Sequence, residues 1–100
     1  MVPPNEEKGA GQPARRTPAL HPRFEADVTY WRHTDPKLAQ RLRRIVDAVL
    51  EDPFTGIAKP ELLRGDHSGL WSRRLTREHR IIYRVTEHEV EFLSARAHYS

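Results

Sequence analysis

The sequence predicts an α+β domain, an N-terminal αα-hairpin packed on one face of a small antiparallel sheet. Three observations carry that expectation. Apolar residues recur at helical spacing from Phe24 to Val49 and alternate at strand spacing from Leu70 onward. A connection rich in Pro and Gly separates the two regimes, so the helices come first and the strands follow. The third is length: 100 residues suffice for one domain with one core.

The elements follow in order. Residues 1–18 hold Pro3, Pro4, Pro13, Gly9 and Gly11 among few apolar side chains. Such a stretch buries too little surface to offset its ordering entropy, so it reads as a flexible tail, with 19–100 as the domain. "ALHP" offers a short first strand, which Pro18 and Pro22 confine to a sheet edge. From Pro22 the period is helical, with Phe24, Val28 and Trp31 at i, i+4 and i+7. "HTD" interrupts, and Asp35 then serves as an N-cap with Pro36 at the first helical position. Leu38, Leu42, Ile45 and Val49 form the apolar stripe of the second helix, which Pro53 stops by Asp52.

Beyond it, "PFTGIAKPELLRGDHSG" sustains no period and reads as an ordered loop with a short extended piece near Leu62–Leu63. "LWSRRL", "RIIYRV" and "VEFLSARAHY" then form a three-stranded meander. Alternation puts Ile81, Tyr83 and Val85 on one face of the middle strand and Arg80, Ile82 and Arg84 on the other. In the last strand it groups Val90, Phe92, Ser94, Arg96 and His98.

Composition excludes several classes of function. There is no cysteine, hence neither a disulfide framework nor a thiolate metal site. No apolar run approaches the ~20 residues of a membrane span, and the N-terminus lacks a secretory pattern; a cytoplasmic protein fits. Net charge is only +3, but distribution matters more. From Lys59 to Arg84 seven cations (Lys59, Arg64, Arg73, Arg74, Arg77, Arg80, Arg84) face three acids (Glu61, Asp66, Glu78). That cluster is either a solvated face or a phosphate-binding surface.

Glu61 is either an ion-pair partner in a surface loop or a proton acceptor turned toward the sheet. Arg80 and Arg84 share a strand face, where they either pair with acids such as Glu91 or grip a phosphate through forked hydrogen bonds. His98, near the chain end, is either simply exposed or placed to deliver a proton. No glycine-rich phosphate loop, metal-binding His motif or nucleophile elbow is present. What remains is an acid, a base and cations, the set that RNA cleavage requires when its own 2′-hydroxyl is the nucleophile.

"YWRHTDPK", "DPFTGIAKPELL", "SGLWSRRLTREHRIIYRV" and the closing "RAHY" together resemble the Txe/YoeB family of RelE-type toxins, over roughly residues 20–99. The resemblance implies a microbial RNase-like fold and a toxin of a type II toxin–antitoxin module that cuts mRNA in the ribosomal A site of the 70S ribosome, without a cofactor. It implies neutralisation by a YefM-like antitoxin, operator DNA reached through that antitoxin, and room for a homodimer formed through the helical side, although Tyr30 and Trp31 serve equally well as core residues. Carried onto this chain, Glu61 is the general base, Arg80 the transition-state arginine and His98 the general acid. Tyr99 orients or stacks on substrate, and Lys59, Arg64, Arg73 and Arg74 hold RNA. The alternative is a toxin of the same fold that binds a protein such as gyrase and cuts nothing. Three positions depart from the family pattern: Ala58 stands where Gly is frequent, Ser100 follows the His-Tyr pair, and "TPALHP" replaces an apolar first strand.

Overall fold

The computed structural model describes residues 15–97, so most of the tail, and the C-terminal His98, Tyr99 and Ser100, lie outside the described residues. The elements are β1 (Thr17–Leu20), α1 (Pro22–Thr34), α2 (Pro36–Glu51), β2 (Glu61–Leu62), a 3₁₀ turn (Gly65–His67), β3 (Leu70–Arg74), β4 (Arg80–Val85) and β5 (Glu89–Ala97). Both helices begin on proline. The His21 ring caps α1 by accepting from the Arg23 amide, and the Asp35 carboxylate caps α2 by accepting from the Leu38 amide. At Asp52 the second helix stops one residue before Pro53.

The strands form one sheet in the order β1-β5-β4-β3-β2. The helices cover one of its faces, where Phe24, Trp31, Ile45 and Val49 meet Ile81, Tyr83 and Phe92. This is the expected α+β architecture with one change: the sheet is mixed, because β1 runs parallel to β5. The strand starts at Thr17, inside the stretch assigned to the tail. Pro18 is tolerated because Thr17 and His21 donate inward, to His88 and Phe92 carbonyls, leaving the intervening proline nitrogen on the open edge.

A second difference lies in β5. Tyr83 pairs with Phe92, but Ile82 pairs with Ser94 and Arg80 with Ala97, so β5 carries extra residues relative to β4. These bulges break simple alternation. Val90, Phe92 and then Ala95 are fully buried, and Ser94 lies opposite Ile82 instead of beside Phe92 in the core. Two side chains of α1 hold the irregular backbone. The Asp27 carboxylate accepts from the Ala95 amide at 2.9 Å, and the Trp31 indole donates to the Ala95 carbonyl at 2.9 Å. Asp27 is itself buried, a polar position that an apolar stripe does not reveal. Trp31 is a core residue, as one of the two readings held, and Tyr30 packs against the core beside it.

Candidate nucleic-acid interface

The face without helices is built by register. Residues directly opposite one another in paired strands project on the same side. Glu61 pairs with Ser72, Ser72 with Ile82 and Ile82 with Ser94, giving one row across four strands. Two residues along β4 lies Arg80, which pairs with Arg74 of β3; two residues the other way lies Arg84. The face thus presents Glu61, Arg74, Arg80 and Arg84 around a floor of Ser72 and Ile82, both buried.

The two arginines of β4 have different fates. Arg84 donates from Nη1 to Glu91 Oε1 at 3.1 Å, the cross-strand pairing that one reading of the sequence anticipated. Arg80 is less committed. Its Nη1 lies 3.8 Å from Glu61 Oε1, an ion-pair separation too long for a hydrogen bond, and that nitrogen is buried with no hydrogen-bond partner among the described residues. Arg74, directly opposite, is exposed. Like charges at a directly paired position destabilise a sheet, so this pair is a local cost that an anion would relieve.

The segment leading to Glu61 has unusual backbone. Ala58 has φ 64° and Lys59 φ 56°, the left-handed region that non-glycine residues seldom enter. Position 58, where the family pattern frequently has Gly, thus adopts φ > 0, and alanine occupies it under strain. The Arg74 amide donates to the Ala58 carbonyl at 2.7 Å and fixes the turn beside the cationic pair. Lys59 is exposed there.

The expected RNA-contacting cations separate. Lys59 and Arg74 stand near Arg80 and Glu61. Arg64 follows Leu63, whose amide donates to Leu70, and Leu70 pairs with Arg84; Arg64 therefore lies toward the far end of the face. Arg73 is not on the face at all. It projects to the helical side with no exposed surface, donating to the Tyr83 hydroxyl and to backbone carbonyls. A fully buried guanidinium has no route to RNA, so the RNA-binding role foreseen for Arg73 gives way to a structural one. His98 and Tyr99 fall outside the described residues. Ser72, by contrast, escaped the sequence reading: its hydroxyl is buried beside Glu61 with no hydrogen-bond partner among the described residues. Its position in "LWSRRL", alternating with Arg73, was the available signal.

Two groups near the loop have shifted pKa values. Burial pushes the Tyr83 phenol above its usual 10.0, against the opposing effect of Arg73. Hydrogen bonds from the Thr55 hydroxyl and the Phe54 amide hold Asp52 below its usual 3.8. Among the described residues no three His, Cys, Asp or Glu side chains gather as a metal site would require, and no helix is long and apolar enough to cross a membrane.

Helices on one sheet face and an uncovered face carrying Arg74, Arg80 and Arg84 beside Glu61 and Glu91 define a small α+β protein. The family follows from comparison. The profile of YoeB-like toxins of bacterial type II toxin-antitoxin systems matches residues 21–99, and the chain belongs to that family. It is 48% identical to Toxin YoeB of Mycobacterium bovis over 73 residues, which is 73% of this chain and 86% of that one. Among solved structures, the YoeB/ParE toxin from Agrobacterium tumefaciens superposes with TM-score 0.78 at 33% identity, over 83% of this chain and 99% of that one. YoeB of Staphylococcus aureus, solved as a dimer, superposes with TM-score 0.78 at 29% identity, and in a heterotetrameric complex with YefM with TM-score 0.75 at 29% identity; each covers 86% of this chain and 100% of the other.

Proposed function

We propose that this YoeB-family toxin is a ribosome-dependent mRNA endoribonuclease that arrests translation and is held inactive by a YefM-like antitoxin. One observation carries the reading: Arg74 and Arg80 stand opposite each other on an uncovered face, with the Glu61 carboxylate 3.8 Å from Arg80. A phosphodiester seated between the guanidinium groups would replace their mutual repulsion with charge-assisted hydrogen bonds.

The chemistry then runs as follows. Glu61 takes the proton of the 2′-hydroxyl as that oxygen attacks the adjacent phosphorus. Arg80, with Arg74 and Lys59 near it, stabilises the charge that builds on the phosphorane-like transition state. The bond from phosphorus to the 5′-oxygen breaks, and a proton delivered to that oxygen completes the step, leaving a 2′,3′-cyclic phosphate and a 5′-hydroxyl. His98 is assigned that proton and Tyr99 the stacking contact, on the family resemblance; Ala97, the residue before His98, pairs with Arg80. DNA lacks the 2′-hydroxyl and is not cut.

The partners follow from the same face. An acidic antitoxin segment fits it, and the YoeB-YefM complex of the Staphylococcus relative supports a partner of that kind; the dimer of that relative supports self-association. Activity on translating ribosomes places the protein in the cytoplasm.

The test maps 5′ ends of ribosome-bound mRNA after induction. Cuts within the A-site codon, lost in Glu61→Gln, are expected; removing a general base costs about 10²–10⁴ in rate. At 3.8 Å and with Glu61 half-exposed, the Glu61–Arg80 pair contributes little to stability, at most ~1 kcal/mol, so the variant stays folded. Intact mRNA with damaged DNA would instead indicate a gyrase-directed toxin.

A further inference from the structure

We propose that Arg73 is a positioning residue that holds the 52–61 segment so that Glu61 meets Arg80; the inference rests on Glu61 being the base. Arg73 is fully buried on the helical side of β3. Its Nη2 donates to the Asp52 and Thr55 carbonyls at 2.7 and 3.0 Å, and Nη1 to the Ile57 carbonyl at 2.8 Å. Nε donates to the Tyr83 hydroxyl at 3.0 Å, which in turn donates to the Pro53 carbonyl at 2.8 Å. Four carbonyls of one short loop therefore converge on a guanidinium and the phenol it holds.

Packing alone does not call for this. A buried cation is costly to desolvate, and no carboxylate lies within ion-pair distance of Arg73 among the described residues. What the cation secures is a conformation. It sits at the C-terminal end of α2, where the Asp52 carbonyl carries the negative end of the helix dipole. The loop wraps it closely: a Cβ at Gly56, whose φ is 120°, would lie 3.3 Å from Arg73 Nη1.

The clamp ends at Ile57, and the strained pair Ala58 and Lys59 follows at once. Left-handed residues persist where their surroundings over-determine them. Here the surroundings are the Arg73 clamp before the turn and the Arg74 amide on the Ala58 carbonyl within it. After one more residue, Pro60, the chain enters β2 at Glu61, opposite Ser72. Adjacent residues of β3 thus divide the work: Arg73 reaches inward to shape the loop, and Arg74 reaches outward to the phosphate. Loosening the clamp lets the turn relax toward extended backbone and shifts the Glu61 carboxylate, while Arg74 and Arg80, held in β3 and β4, stay in place.

The experiment measures single-turnover cleavage of ribosome-bound mRNA by the full chain, comparing wild type, Arg73→Lys, Glu61→Gln and the double variant. Lysine keeps the charge but cannot reach four acceptors. The expected result is a loss of about 10²-fold in kcat for Arg73→Lys, as for an angstrom-scale misplacement, with KM changed less than about threefold. In the Glu61→Gln background the same substitution should cost nothing further, because there is no base left to misplace. Losses that multiply in the double variant, or a folded Arg73→Lys with wild-type kcat, overturn the proposal. Should Arg73→Lys fail to fold, the same cycle with Tyr83→Phe, which removes one arm and keeps the guanidinium, decides it by the same two criteria. Full activity in Glu61→Gln would sink the nuclease reading of Glu61, a separate failure.

Discussion

Tyr83→Phe is the substitution whose cost the structure sets most directly. The phenol is fully buried, accepts from Arg73 Nε at 3.0 Å and donates to the Pro53 carbonyl at 2.8 Å. Phenylalanine keeps the ring and its 6.0 Å contact with Phe92, so no cavity larger than one oxygen opens. The loss is therefore two hydrogen bonds. Pro53 is buried, and its carbonyl is left without the phenol; the buried Arg73 Nε loses its acceptor too. At about 1–2 kcal/mol for each of the two orphaned groups, within the usual range of about 1–3, the sum is roughly 2–4 kcal/mol. A domain of this length has a total of about 5–15 kcal/mol, so the variant remains folded at 25 °C. In urea, with a slope of about 1–2 kcal/mol per molar, the midpoint should fall by roughly 2 M. The pH dependence adds a second reading. Because the phenol is held above its usual 10.0, the folded state keeps the proton that the unfolded chain has begun to lose. That contribution is whole below pH 10 and disappears as pH rises through the folded value, so the difference between wild type and Tyr83→Phe should be constant up to about pH 10 and narrow above it. A shift in unfolding free energy below ~0.5 kcal/mol at pH 7 would refute the clamp energetics.

Other substitutions probe the remaining parts. Ala58→Gly relieves a left-handed residue worth about 1–2 kcal/mol, against roughly 0.4–1 kcal/mol of added unfolded-chain entropy and part of a methyl group's burial at ~0.8 kcal/mol. The net change in urea unfolding should lie between about zero and +1 kcal/mol; a clear loss would mean the turn is not strained. Asp27→Ala strands the Ala95 amide and should cost about 1–3 kcal/mol in the same assay, whereas Asp27→Asn retains an acceptor and should cost less. Equal costs would show that the carboxylate does not hold the bulge. Arg74→Gln should weaken binding of single-stranded RNA and reduce the slope of log K against log salt by about 0.7, while Arg84→Gln, whose parent already pairs with Glu91, should leave the slope nearly unchanged.

What was legible in the sequence was local. Asp35-Pro36 announces a helix start, Leu42, Ile45 and Val49 its buried stripe, and Arg80–Val85 a strand whose limits match β4 residue for residue. What was illegible depends on partners distant in the chain. Nothing in "TPAL" says that it will lie parallel to β5, and Pro18 argues against a strand until one sees that its nitrogen faces the open edge. The bulges of β5 arise because α1 supplies Asp27 and Trp31 to Ala95, 68 and 64 residues away. Arg73 and Arg74 look equivalent as neighbouring cations. Only the pleat sends one to the loop and the other to the open face, and the carbonyls that claim Arg73 sit in a segment with no period of its own. The proposed catalytic set divides in the same way: Glu61 and Arg80 stand 3.8 Å apart, while His98 and Tyr99 lie outside the described residues.

The open face also links stability to function. Arg74 opposite Arg80 works against folding of the free protein, since Glu61 approaches Arg80 without a hydrogen bond and Glu91, on the same face, is taken by Arg84. Any polyanion that settles between the two arginines relieves that repulsion and so binds the folded state preferentially. Such a ligand raises apparent stability by RT ln(1 + [L]/Kd), about 2.7 kcal/mol at a hundredfold excess over Kd. RNA phosphates and an acidic antitoxin segment answer the same electrostatic demand. On the proposed reading they compete: an acidic chain occupying the phosphate position would exclude the substrate by the charge complementarity that would otherwise admit it.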